Sequence, residues 1–283
     1  MKKVLITDLD DTIWNWFSMW FESSNNFYNN IIKHLNKDAE QLYSDFRIVH
    51  QKYHTSEASN EIEEVKSLTE EDIDFIKNVP VIGQKTIMHK YHSDRLHNLS
   101  LYPNVLETLH TLRSKSIKII GFTESNTFHT LRRIKHLNLD FLFDSIYAPI
   151  DLGKKSMQQR LYPEEEYQLN STKIIELAEG TKKPNKHVLL TILAQNNFGT
   201  DEAIYIGDKL QKDVLMANEA NVFSVHAKYG DIPLSDRYKL LQKVSHWSEE
   251  DVKYEEMVKT QIAGVMIKPR LEITDFKQIL NLF

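Results

Sequence analysis

The chain has 283 residues, 41% apolar and 27% charged, enough to bury one sizeable core or two modest ones and too apolar for a disordered chain. Lysine and arginine number 35 against 40 acids, a net charge of −5 with no basic run able to track a phosphate backbone, so a nucleic-acid polymer is not an expected partner. The absence of cysteine rules out disulfides, thiolate metal sites and cysteine nucleophiles, and no apolar stretch reaches the ~18 residues of a membrane span, so a soluble cytoplasmic protein is expected.

The first expected strand is Lys3 to Thr7. The apolar run after Met-Lys-Lys is too short for a signal peptide and stops at Asp8, Asp10 and Asp11, with Thr12 following. Carboxylates converging at a strand's C-terminal edge repel one another, and burial sharpens the repulsion. A cation, or a proton shared for catalysis, resolves it. Asp11 is expected to cap the turn that follows.

From Trp14 to about Ser100 the periodicity is helical. Phe17, Trp20 and Phe21, then Phe27, Tyr28, Ile31 and Leu35 recur at three- and four-residue spacing; Leu42, Phe46, Val49 and Tyr53 repeat it behind Asp38, an N-cap. "TEED" at Thr69 to Asp72 starts another helix. Residues 15–100 therefore read as an all-helical unit of about four helices. Most of the aromatic cluster is helical core, while Trp14 and Trp16, just beyond the acids, are candidates to touch substrate. "HKYHSDRLH" at His89 to His97 pairs histidines at i, i+3, but no acid or third histidine completes a tetrahedral shell, so zinc is not expected.

Strands then alternate with helices. "LYPNVLETLHTLRSK" gives a helix ending near Lys115, "IKIIGFT" a fully apolar strand, "NTFHTLRRIKHLNL" a helix begun by Asn126, and "FDSIYAPI" a strand. A helix at about Lys186 to Asn196 precedes the strand "AIYIGD", the helix "QKDVLMANEA" and the strand "VFSVHA". Residues 151–182 read as an extended loop beside the site. In 232–263 the "SEEDVKYEE" segment reads as a surface helix before a last strand near Leu271 to Thr274. Strands apolar on both faces predict a doubly wound α/β domain with a parallel sheet, into which the helical unit is inserted after the first strand.

Ligands of an open parallel sheet sit beyond the strands' C-terminal ends. Those ends carry Asp8 and Asp10, Thr123 and Glu124, and Asp208 with Asp213 five residues on; Lys183-Pro184 starts the helix before the "AIYI" strand, although Lys182 and Lys186 offer competing registers. Carboxylates cannot attack a phosphate dianion unless its charge is neutralised, so a divalent cation is implied. Mg2+ suits oxygen ligands from Asp8, Asp208 and backbone carbonyls. Thr123 can donate to a phosphoryl oxygen and Lys183 can stabilise charge on the transferring group, which is the equipment of phosphoryl transfer.

"DLDDT" after an apolar strand, a strand ending in Thr123, Lys183-Pro184 and "GDKLQKD" come in the order and spacing of the four motifs of the haloacid dehalogenase (HAD) superfamily, which the chain resembles over residues 1–14 and 101–283. The resemblance implies a Rossmann-like HAD core with residues 15–100 as a helical cap of the first type. It implies Asp8 as the nucleophile of an aspartyl-phosphate, Asp10 as general acid and base, Thr123 and Lys183 as phosphate holders, and Asp8, Asp10, Asp208 and Asp213 as the Mg2+ site, Asp213 in its outer shell. The expected function is Mg2+-dependent hydrolysis of a small phosphorylated metabolite. Alternatives are a phosphomutase or other phosphotransferase on the same scaffold, or a non-catalytic phosphate-binding or regulatory protein. Carbon–halogen cleavage would leave Asp10 without a task. Two departures stand out: Glu124 puts a carboxylate where many relatives are uncharged, and Pro103-Asn104 replaces the common Pro-Gly. Substrate identity and oligomeric state are not legible.

Overall fold

The computed structural model describes residues 2–58, 61–150, 163, 166–178, 181–260 and 267–283. Strand β1 (Val4–Thr7) is wholly buried and central in a seven-stranded parallel sheet of order β4-β3-β2-β1-β5-β6-β7. The others are β2 (Lys118–Phe122), β3 (Ser145–Pro149), β4 (Lys173–Leu177), β5 (Ala203–Gly207), β6 (Phe223–Ala227) and β7 (Leu271–Ile273). Strand β1 pairs with β2 and β5, Ile6 lying opposite Ile120 and Tyr205. Alternation sends Val4, Ile6, Ile120 and Tyr205 into one apolar layer and Leu5, Ile119, Ile204 and Ile206 into the other. Both faces are covered, hence the unbroken apolar runs in these strands.

Between β1 and β2 the chain forms α1 (Trp16–Leu35), α2 (Ala39–Lys52), α3 (Glu70–Asn78) and α4 (Ile87–His97). Their starts follow the sequence signals. The Asp38 side chain accepts the Gln41 N–H at 2.8 Å, and Thr69 and Asp72 form a capping box. The two connections to this helical insertion run side by side: the Asn15 N–H donates to the Ser100 carbonyl, the Ser100 N–H to Asn15 Oδ1, both at 3.0 Å. Helix α5 (Val105–Ser114) starts after Asn104, whose φ of 62° is the left-handed conformation that glycine serves in Pro-Gly and asparagine tolerates. Helices α6 (Thr127–His136), α7 (Lys186–Gln195) and α8 (Leu215–Glu219) complete the crossovers; α8 is entered through a wide π-type turn, Leu210–Val214.

Two expectations are corrected. The stretch 151–182, expected as an extended loop, contains β4, paired in parallel with β3 from Ser145–Lys173 to Pro149–Leu177; positions 151–162, 164–165 and 179–180 lie outside the described residues. As the edge strand β4 is half exposed, so it lacks the apolar run that marked the others. The C-terminal helices α9 (Asp236–Val244) and α10 (Glu249–Lys259) are not confined to the surface. Ile232, Tyr238, Leu241 and Val244 share the apolar cluster of the inserted helices, with Phe17, Trp20, Phe46 and Val49. Glu255 of α10 is buried, accepting the Tyr238 hydroxyl at 2.6 Å. No helix among the described residues is long and apolar enough to cross a membrane.

Candidate active site

Strand β1 delivers Asp8 to the sheet's C-terminal edge, its N–H held by the Ile206 carbonyl of β5 at 2.8 Å. The Lys183 ammonium, 2.5 Å from Asp8 Oδ1 and 2.9 Å from Asp213 Oδ1, lies between the two carboxylates. Asp213 also accepts the Tyr205 hydroxyl at 2.9 Å and the Lys209 N–H at 3.1 Å. Gly207 makes room for it, since a Cβ there would stand 2.3 Å from the Asp213 carboxyl carbon. Asp208 Oδ2 is buried and without a hydrogen-bond partner among the described residues, its ion pair being the Lys209 ammonium 3.4 Å away.

Oxygens of Asp8, Asp208 and Asp213 lie within 4.8 Å of one another. Three buried carboxylates exceed the charge of the two lysines that meet them, Lys183 and Lys209, and the acids show it. Burial pushes the Asp8 carboxyl well above the usual range, with Asp213 and Asp208 adding to the effect against Lys183. Burial likewise pushes Asp208 up to about 6. Burial would lower Lys183, but Asp213 and Asp8 outweigh it and hold the ammonium charged. An over-negative, all-oxygen donor set, with one buried oxygen that accepts no hydrogen bond among the described residues, fits a hard divalent cation.

Thr123 ends β2 and is buried; its hydroxyl oxygen accepts the Ser125 N–H at 3.0 Å, so its hydrogen is left for another acceptor. Asp10 lines the same cleft, but its carboxylate is outside the metal-ligand group. Trp14 Nε1 donates to Oδ1 at 2.6 Å, the Ser125 hydroxyl to Oδ2 at 2.5 Å, and Arg133 Nη1 to both, at 3.1 and 3.4 Å. Trp14 thus holds an acid, while Trp16 lines the cleft. Asp11 accepts the Phe17 N–H at 2.9 Å and caps α1. Glu124 turns away from the carboxylates: it accepts the Lys183 N–H at 3.1 Å and the Lys212 ammonium at 2.7 Å.

The cleft measures about 1060 Å³, its open mouth included. The acids and lysines form its floor, Thr55, Ser56 and Glu57 from beyond α2 one wall, and Tyr238, Leu241, His246 and Trp247 another. Sequence reasoning missed Glu57, Arg133, Lys209, Lys212 and His246. Arg133 left a signal, a charge in phase with the buried stripe of Thr127, Thr130 and Ile134. The others lie in turns or beside the motif residues, where no periodicity marks them.

A doubly wound parallel sheet with buried carboxylates and a lysine at its C-terminal edge places a charged ligand site where such sheets bind ligands, with the groups phosphoryl transfer needs. The chain matches the profile of haloacid dehalogenase-like hydrolases over residues 2–221, and it belongs to that family as a phosphatase-like member. It is 25% identical over 231 residues to the glyceraldehyde 3-phosphate phosphatase of Pyrococcus abyssi, covering 81% of this chain and 83% of the relative. To the protein of that name from Methanopyrus kandleri it is 20% identical over 233 residues, 81% and 85% of the two chains. In fold it is similar to a HAD phosphatase from Thermococcus onnurineus, with a TM-score of 0.52 at 17% identity over 86% of this chain and 97% of that one. A predicted phosphoglycolate phosphatase from Haemophilus somnus gives the same TM-score and identity over 99% and 97%.

Proposed function

We propose that the chain is a Mg2+-dependent phosphomonoester hydrolase that acts on a small phosphorylated metabolite through an aspartyl-phosphate on Asp8. The observation that carries this reading is the Lys183 ammonium between Asp8 and Asp213, with the buried Asp208 carboxylate in the same cluster. Asp8 and Asp208 would hold the cation. Asp213, whose oxygens already accept three hydrogen bonds, would brace Lys183 from the outer shell, and Asp10 has only its main chain to offer. The cation's contribution is to neutralise the phosphate dianion so that a carboxylate can approach it.

An Asp8 oxygen attacks phosphorus and the bond to the ester oxygen breaks, while Thr123 and Lys183 donate to the phosphoryl oxygens as charge spreads over them. Asp10 gives a proton to the leaving oxygen. It then takes one from the water that attacks the aspartyl-phosphate, which frees Asp8 and releases phosphate. Residues 15–100 act as the cap over a core of residues 1–14 and 101–283, with α9 joining the cap's wall. The name of the archaeal relatives makes three-carbon phosphate esters the first substrates to try.

The test is phosphate release from a panel of phosphorylated metabolites, expected to need Mg2+ and to stop with a chelator. Asp8→Asn keeps the size but removes the nucleophile and is expected to lower kcat by about 10³-fold or more. Asp208→Asn is expected to raise the Mg2+ concentration for half-maximal activity by roughly ten-fold or more. Wild-type turnover by a verified Asp8→Asn preparation refutes the nucleophile, and metal-independent turnover refutes the cation.

A further inference from the structure

Asp10 is reached from the cap side by a line of alternating charges, buried at its middle. Arg133, on α6, points one guanidinium nitrogen at Asp10 and at the Ser125 hydroxyl, 3.0 Å away, and the other at Glu57. The same Glu57 oxygen accepts Arg95 of α4, which is held in turn by the Tyr91 hydroxyl at 3.0 Å. Glu57 and Arg133 are each only 4% exposed. Burial would raise the Glu57 carboxyl, but Arg133 and Arg95 outweigh it and keep it well below the usual range, so it is ionised at any working pH. The sequence of charges is Arg95, Glu57, Arg133, Asp10, two of each sign, running from the inserted helices to the end of β1.

The line also distinguishes the two Asp10 oxygens. Oδ1 faces the Trp14 indole N–H and the Arg133 guanidinium, neither of which can accept. Oδ2 has its short contact with a serine hydroxyl, which can reverse its direction, and only a long one with Arg133. Oδ2 is therefore the oxygen that can take up and give a proton. Arg133 touches both Asp10 oxygens and the Ser125 hydroxyl that meets Oδ2, and is itself held by Glu57.

We infer that Arg133 and Glu57 are positioning residues that set Asp10 Oδ2 for proton transfer to the leaving oxygen, so that the acid is in place only while the Glu57 turn is seated on α6. The inference rests on the phosphatase reading above. In the first chemical step the phosphorus–oxygen bond breaks with its electron pair going to the leaving oxygen, which receives the Oδ2 proton and leaves Asp10 a carboxylate. A p-nitrophenolate leaves without that proton, whereas a phenolate needs it.

The experiment compares the first-step rate, by single-turnover stopped flow, on p-nitrophenyl phosphate and phenyl phosphate. Arg133→Lys keeps the charge but cannot span Asp10 and Glu57; Glu57→Gln never touches Asp10. Both are expected to lose about ten-fold or more on phenyl phosphate beyond any loss on p-nitrophenyl phosphate, with KM nearly unchanged. A merely structural role would lower the melting temperature and leave that ratio alone. Should either variant fail to fold, Glu57→Asp, which withdraws the oxygen from Arg133 but keeps its charge, takes its place. Equal losses on both esters, or none, overturn the inference while the phosphatase reading stands. A wild type that releases phosphate neither from these esters nor from the metabolite panel overturns that reading, and the inference with it.

Discussion

A carboxylate beside a phosphate site repels the dianion it is meant to serve, and Glu124 follows Thr123 directly. Its bonds to the Lys183 N–H and the Lys212 ammonium convert that liability into a brace for the loop carrying Lys183. Burial raises its carboxyl, but Lys212 and Lys183 outweigh it and the net shift is downward, so the charge persists and is balanced by Lys212. Glu124→Gln keeps an acceptor for the Lys183 N–H while releasing the Lys212 charge toward the cleft. Competitive inhibition by inorganic phosphate is expected to tighten by roughly two- to five-fold, on the order of 1 kcal/mol for a unit charge near a protein surface. An unchanged or weaker inhibition constant would mean that the Glu124 charge does not reach the phosphate.

Helix α2 ends against α9, and its Arg47 and His50, with Ser56 just beyond it, cross to the C-terminal segment. Arg47 donates to the Gln242 carbonyl at 2.9 Å and to the Trp247 carbonyl at 3.0 Å, covering the C-terminal end of α9 where a cation is favoured. The Ser56 hydroxyl meets His246 Nδ1 at 3.0 Å. His50 donates Nδ1–H to the Val244 carbonyl at 2.5 Å, while its Nε2 is buried without a hydrogen-bond partner among the described residues. A proton on Nε2 would bury an unpaired cation, so burial lowers His50 to about 4. Between the ordinary value of about 6.5 and that lowered value the unfolded chain binds a proton that the folded chain refuses. Stability is therefore lost as pH falls through that window, at up to about 1.4 kcal/mol per pH unit from this group. Urea titrations from pH 7 to 4.5 are expected to show a slope shallower by about that amount in His50→Gln. Parallel slopes would contradict the assignment.

The helical insertion meets the rest of the molecule at the paired crossings of Asn15 and Ser100, at the Glu57–Arg133 ion pair with α6, and along α9, whose apolar face belongs to the insertion's core. The cleft is thereby lined by the Thr55–Glu57 turn together with His246 and Trp247, the turn and the C-terminal segment meeting where the Ser56 hydroxyl reaches His246. Enclosure of this kind excludes water and selects small substrates. A folded phosphoprotein is expected to be a poor substrate, with kcat/KM at least about 10²-fold below that of the best small ester under the same Mg2+ conditions. Comparable efficiency on both would require the insertion to swing clear of α9.

How much of this could be read from the chain varies with the range of the interaction involved. The strands, most helix starts and the acidic strand ends were legible, because alternation, capping and apolar runs are set by neighbours within a few residues. Edge strand β4 was not, since half exposure blurs its pattern, nor was the burial of Glu255, whose partners Tyr238 and Lys209 lie on other elements. The candidate site divides in the same way. Asp8, Asp10, Thr123, Lys183, Asp208 and Asp213 were named from residue type and strand-end position. That the Lys183 ammonium meets Asp8 across 175 residues, or that Glu57 meets Arg133 across 76, left no local trace. A buried charge is stabilised by whatever opposite charge the fold brings within a few ångströms, and that pairing is decided by the packing of sheet and helices, not by spacing along the chain.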